Sequence, residues 1–364
     1  MSFRPSEASG GISPVTICKT NPARFLGFTR NDTFGRVMLL VVALLLVATK
    51  PAAAQDRYAV LIGGLGGSPA YTDQYRQYLF DTHRALTETF GFPAANVTVL
   101  AEQAISDQSF VTDVSTAENI RARIGTLAGQ VTEDDHVYVI LFGHGSYDGE
   151  HAQLNIPRRD LNDTDYADLV ESLNAGRIVF INTASASAPF VEALSAPDRI
   201  IITATRAGTQ RNETVFPTYL VEAFTSPNAD LDKDGTLSVR ELFQYAAEAT
   251  ARSYEASSHL ATEHALLEDT GDAEGYRVEE LDEAGEGNLA AITTLRRGGA
   301  AIASLSAEER ATLGPLLQEK EAIERDIAAV KSRKNNLDED AYYAQLETLF
   351  VQLARLNDRI EAGQ

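Results

Sequence analysis

The sequence predicts an α/β fold: a mostly parallel sheet flanked by helices, followed by a C-terminal α-helical hairpin. Three observations carry this. Short, continuous apolar runs rich in β-branched residues alternate with segments of helical spacing, which is the pattern of strands buried on both faces of a sheet. Two of those runs open into turns of small residues, HVYVILFGHGSYDG (136–149) and RIVFINTASASAPF (177–190). From about Ser306 the pattern changes to a sustained 3–4 repeat, which suits a helix pair rather than more sheet.

The chain has 364 residues, with 31 Lys and Arg against 52 Asp and Glu. Val37–Ala48 is a twelve-residue apolar run preceded by Arg24, Arg30 and Arg36 and followed by Pro51-Ala-Ala-Ala54. A basic region, a short apolar core and a small-residue cleavage site make residues 1–54 an N-terminal extension and signal peptide, and place the protein in an exported, periplasmic or secreted setting. The alternative, retention as a membrane anchor, is disfavoured because the run is short for a bilayer. Cleavage after Ala54 removes six of the 31 basic and two of the 52 acidic residues, leaving 25 against 50 and a charge of −25. Such a surface repels nucleic acid and anionic lipid. Cleavage also removes Cys18, the only cysteine, so no disulfide is available.

The main domain is expected over 55–300. Arg57–Gly63 reads as a buried strand ending in Gly63-Gly64-Leu65-Gly66-Gly67. A phosphate cradle is not expected there, since the third glycine of the dinucleotide fingerprint is missing and Ser68-Pro69 interrupts the approach to a helix. Helical spacing runs over Gln74–Gly91, then Asn96–Leu100 is a strand. Ser115-Thr-Ala-Glu118 reads as a capping box opening a helix to about Gly129. The strand before His144 follows, then a helix over 163–175, the strand before Ser185, a short helix near Phe190–Leu194 and a strand at Arg199–Thr205. His144, Ser185 and Thr205-Arg206 all fall at carboxyl ends of strands, where open α/β sheets bind ligands.

Asp230-Leu-Asp232-Lys-Asp234-Gly235-Thr236-Leu-Ser238-Val-Arg-Glu241 matches a twelve-residue EF-hand loop at 230–241. Asp230, Asp232, Asp234, Ser238 and Glu241 supply side-chain oxygens, Thr236 a backbone carbonyl, and Gly235 the sharp turn. The expectation is a structural Ca²⁺. Pro227 shortens the incoming helix, and no second hand is evident in the sequence. His83, His136, His151, His259 and His264 show no metal-ligand spacing.

At the C-terminus, Leu316, Lys320, Ile323, Ile327, Val330 and Leu337 form one stripe, and Tyr342, Leu346, Leu349, Leu353, Leu356 and Ile360 another. This predicts a helical hairpin or coiled coil over 304–362. Two short helices are marginal alone, so the hairpin packs on the main domain, on itself, or on a second copy as a homodimer.

Four blocks taken in order resemble the caspase, legumain and bacterial C13-type peptidases: YAVLIGG (58–64), VYVILFGHGSYDG (137–149), RIVFINTASASAPFVEAL (177–194) and RIIITATRAG (199–208). The resemblance spans roughly 56–225. It implies a caspase-like sheet with His144 at the general-base position, Ser185 at the nucleophile position and Gly145 in the loop flanking the oxyanion-binding backbone. The chain departs from the family in carrying Thr183-Ala184-Ser185 where an acidic residue, Ala and Cys are expected, and in lacking the basic pocket residue of an asparagine-specific enzyme. A thiol ionises readily beside an imidazole, whereas a serine hydroxyl must lose its proton during attack and needs an acid orienting the base. Asp148 is the nearby candidate for that acid.

Three functions follow. The first is a pseudopeptidase that binds peptides or partner proteins. The second is an active serine-type hydrolase, a peptidase or transpeptidase, using Ser185 and His144. The third is an interaction module whose working surface is the C-terminal hairpin.

Overall fold

The computed structural model describes residues 56–104, 110–296, 338–362 and scattered positions between 316 and 330. The expected signal segment, Cys18 and most of the first hairpin helix lie outside the described residues. Among the described residues the strands are, in chain order, β1 Arg57–Gly63, β2 Val97–Ala101, β3 Asp113–Val114, β4 His136–Phe142, β5 Gly145–Tyr147, β6 Ala152–Leu154, β7 Leu161–Asn162, β8 Arg177–Asn182, β9 Arg199–Thr203, β10 Thr236–Ser238, β11 Leu266–Glu268 and β12 Thr294–Arg296. Seven of them form one sheet in the order β11-β9-β8-β4-β1-β2-β3. Every pairing in it is parallel except that of β11 with β9. The α/β class read from the sequence is therefore the observed one.

The apolar runs are continuous because the sheet is covered on both sides. Leu61, Ile140, Ile181 and Ile202 sit in register across β1, β4, β8 and β9. They face helices α1 (Pro69–Arg84), α5 (Phe216–Thr225) and α6 (Val239–Ala256). Their neighbours Val60, Ile62, Val139, Leu141, Phe180 and Ile201 face α2 (Ala117–Ala128), α3 (Asp163–Glu171) and α4 (Pro189–Leu194). The helix after β1 and the helix leading from β4 to β8 thus lie on opposite faces. The carboxyl ends of β1 and β4 consequently flank a topological switch point, where such sheets hold ligands.

Several local expectations change. α1 begins at Pro69, earlier than Gln74, because Ser68 caps it and Pro69 fills its first turn, where a missing N–H costs nothing. The Ser68-Pro69 pair therefore starts the helix instead of interrupting it. α2 is capped by Thr116, which accepts from the Asn119 N–H; Ser115 is turned inward and donates to the Gly63 carbonyl at 2.6 Å. α3 stops at Glu171, and β9 at Thr203. A small antiparallel sheet, β5-β6-β7, grows out of the turn after β4.

After α6 the chain makes short helices α7 (Leu281–Ala284) and α8 (Asn288–Ile292). The last described element is α9, Glu339–Ala362. Its Tyr342 and Leu346 are buried with Ile327 and Val330, and Arg359 pairs with Glu319 at 3.2 Å. Contacts that advance in opposite directions along the two segments are those of an antiparallel hairpin. Among the described residues, no helix is long and apolar enough to cross a membrane.

Candidate functional site at the carboxyl edge of the sheet

His144 follows β4 directly and projects at the switch point. Its Nδ1 lies 2.7 Å from Glu213 Oε2, and its Nε2 lies 3.2 Å from the Gly66 carbonyl oxygen in the loop after β1. A carboxylate and a carbonyl both accept, so the two contacts together favour the doubly protonated ring. The hydrogen bond to Glu213 raises the pKa of His144 above its ordinary value; burial opposes this, and the Glu213 charge and the Gly66 carbonyl reinforce it. The rings of Tyr71 and Tyr75 stand edge-on to the imidazole, with centroids at 4.9 and 5.4 Å. Tyr75 also donates its hydroxyl to Glu213 Oε1 at 3.0 Å. Burial and the Glu213 charge push the Tyr75 phenol far above its usual range, so it remains a neutral donor.

Gly66 is tied into this corner by close approach. A Cβ there would sit closer than 3.0 Å to the Thr72 backbone nitrogen of α1. The glycine-rich turn is packed on its own helix.

Ser185 lies in the turn after β8, and its hydroxyl bonds Gly145, not His144. Its hydroxyl accepts from the Gly145 N–H at 3.1 Å and donates to the Gly145 carbonyl at 3.0 Å. The two turns are so close that a Cβ on Gly145 would fall within 3.0 Å of the Ser185 carbonyl oxygen. The next residue, Ala186, has φ +57, a left-handed conformation that strains any residue with a Cβ. Its N–H donates to the Gln210 carbonyl at 2.7 Å, fixing the turn to the loop that carries Glu213. Thr183 is fully buried and donates its hydroxyl to the Leu141 carbonyl at 2.7 Å, so it packs the sheet end instead of lining a pocket.

The structure thus brings Gly145 and Ser185 together and leaves the His144 ring with other partners. Asp148, the acid expected behind His144, is not there. Its carboxylate accepts from the N–H groups of Glu150 and His151, both at 2.8 Å, and closes the turn between β5 and β6. Glu213 takes that position from the loop after β9. The base of this loop is held by Glu263, which is buried and accepts from the N–H of Val215 at 2.6 Å and of Phe216 at 3.2 Å. Of the remaining histidines, His151 bonds Asp163 at 2.8 Å and His264 bonds Gln210 at 2.9 Å.

The 230–241 loop lies elsewhere. Carboxylate oxygens of Asp230, Asp232 and Asp234 come within 4.8 Å of one another. Glu241 reaches back across the loop, with Oε1 accepting from Leu231 N–H at 2.8 Å and Oε2 from Ser238 N–H at 2.9 Å. Thr236 donates its hydroxyl to Asp234 at 2.6 Å. The loop's β10 pairs with β12, placing Leu237 against Leu295, both fully buried. The loop is thus held by a strand some sixty residues further along the same chain. The donors are all hard oxygens, but exposed acids also gather without an ion, and the geometry names none.

No protein-family model and no curated protein matches the chain. Among solved structures, it is similar to the protein GSU0716 of Geobacter sulfurreducens, at a TM-score of 0.38 and 13% identity over 60% of this chain and 95% of that one.

Proposed function

We propose that this is a caspase/legumain-like domain whose catalytic pair has been retired, leaving the switch-point crevice to bind peptides or partner proteins. The observation that carries the reading is the closed Ser185–Gly145 contact beside a doubly held His144. A serine attacks only when a neutral base takes its proton and backbone donors receive the oxyanion. Glu213 on Nδ1 stands where an orienting acid would, but Nε2, the nitrogen that would take the proton, lies 3.2 Å from the Gly66 carbonyl instead of meeting the Ser185 hydroxyl, and the Gly145 N–H is spent on that hydroxyl. Nucleophile and oxyanion donor are bonded to each other, and the proton-accepting nitrogen of the base faces a backbone carbonyl. The resemblance in four ordered sequence blocks supports the kinship, and Ser185 then stands where relatives carry Cys.

A cleavage assay on a peptide library tests this, with Ser185→Ala and His144→Ala as controls and binding measured by fluorescence anisotropy on the same peptides. The reading expects saturable binding by a subset and no turnover above either control. Turnover abolished by Ser185→Ala would establish the serine-type hydrolase instead.

Three accompanying proposals are separable. The chain is exported to the periplasm or beyond and carries a cleaved signal, which N-terminal sequencing of the mature protein checks. The 230–241 loop holds a structural Ca²⁺ through Asp230, Asp232, Asp234, the Thr236 carbonyl, Ser238 and Glu241, the ion stapling the loop beside β12. Calorimetry on the wild type and Glu241→Gln, with melting curves to verify folding, decides it: equal heats end the claim. The C-terminal hairpin pairs two copies, so deleting 305–364 is expected to halve the mass in solution.

A further inference from the structure

A concavity lies one strand over from His144, beyond the carboxyl ends of β1 and β2 and under the first turns of α1. Its volume is about 210 Å³, and its lining includes Thr72, Tyr75, Arg76, Leu79, Ala101 and Glu102. Drug-sized ligands occupy pockets of roughly 300–1,000 Å³, so this one suits a smaller molecule.

The lining is unusual in charge. Glu102 is fixed by two donors on one oxygen: the Thr72 hydroxyl at 2.8 Å and the Gly66 N–H at 3.3 Å, both to Oε2. Among the described residues no donor reaches its Oε1. Arg76 is anchored through one nitrogen to Asp73 at 2.6 Å. A guanidinium carries five N–H donors, so others remain. The two charges line a single small space and form no ion pair with each other. Oriented opposite charges that do not neutralise one another suit a ligand carrying both signs on a short frame. Leu79 and Ala101 provide an apolar wall, and the Tyr75 ring closes the side towards His144.

We infer that this cleft binds a small α-amino acid as its zwitterion, the ammonium on Glu102 and the carboxylate on Arg76. The site does not use Ser185 and does not depend on the peptide-binding reading of the neighbouring crevice. It is nonetheless linked to His144, because Tyr75 lines the cleft and donates to the same carboxylate that holds the imidazole. A ligand against Tyr75 therefore shifts the His144 proton resonances.

The experiment uses the full chain, titrated with glycine, L-alanine, L-serine and L-leucine by calorimetry, with the His144 ring protons followed by NMR. Each amino acid is compared with its N-acetyl form, which lacks the ammonium, and its carboxamide, which lacks the carboxylate. Charge-assisted hydrogen bonds predict that blocking either group weakens binding about tenfold or more. Glu102→Gln should remove the discrimination against the N-acetyl form, and Arg76→Gln the discrimination against the carboxamide. Arg76 is exposed, so its variant remains informative should Glu102→Gln fold poorly. Affinity weaker than about 10 mM for every amino acid tested overturns the inference. So does equal binding of free and blocked forms, or unchanged discrimination in Arg76→Gln.

Discussion

Replacing Glu213 with Gln tests the electrostatic core of the site. The pair stands at 2.7 Å with side chains 27% and 29% exposed, shielded enough for the charge to matter. A hydrogen bond between charged groups contributes roughly 1.5–3 kcal/mol. Loss of the bond and of the carboxylate charge should therefore lower the His144 pKa in Glu213→Gln. Burial remains in the variant and continues to push the value down. The sign for stability follows from linkage. A pKa raised in the folded state gives stability that is fully present below the unfolded value of about 6.5 and is lost as pH rises through the higher folded value. The stability difference between wild type and variant should therefore be greatest near pH 5.5 and close on the alkaline side of the wild-type pKa. Urea denaturation across pH 5–9 measures the gap. NMR titration of the ring protons, assigned with His144→Gln, measures the pKa. A gap that stays flat with pH, or a His144 that titrates alike in both proteins, refutes the reasoning.

The remaining expectations concern packing. Gly145→Ala forces the β4 and β8 ends apart and breaks both bonds to Ser185, at a cost of about 2–4 kcal/mol in chemical denaturation. Gly125→Ala, in α2 with open space around its Cβ position, should instead gain about 0.5–1 kcal/mol. Ser185→Ala leaves the Gly145 N–H and carbonyl without their hydroxyl partner and should destabilise by about 1–3 kcal/mol. Leu295→Ala empties a fully buried site opposite Leu237 and should cost about 2–5 kcal/mol.

The sheet was legible because its strands are buried on both faces, and burial on both faces leaves no polar interruptions to hide them. Val137–Phe142 and Ile178–Ile181 advertise themselves in this way. Elements that depend on partners distant in sequence were not legible. β11 is three residues, antiparallel, and exists because Leu266, Leu267 and Glu268 find the open edge of β9. β12 is likewise defined by its register with β10. Ser68-Pro69 failed for a different reason: the same dipeptide breaks a helix from within and starts one from outside. Which applies is decided by the turn before it, here pressed onto Thr72 and Glu102.

At the site, sequence reasoning placed His144, Gly145 and Ser185 at one edge, whereas its candidate for the acid, Asp148, bonds within its own turn. Asp148 is near His144 along the chain, and that nearness disqualifies it. A short turn presents free N–H groups, and an aspartate at its start satisfies them before it can reach a side chain elsewhere. Glu213 has no such competing donors in its own loop, which is strapped down by Gln210 at one end and Glu263 at the other. Nothing local distinguishes it from any other acid in a polar loop. The role of Ser185 was equally hidden, since the comparison with a thiol invites the question of lost nucleophilicity alone. A hydroxyl is a strong donor and acceptor in one small group, and it bridges both backbone groups of Gly145, whereas a thiol is weak in each role and larger. The Ser185 hydroxyl therefore acts as a structural clasp between the turns after β4 and β8, and it occupies the Gly145 N–H.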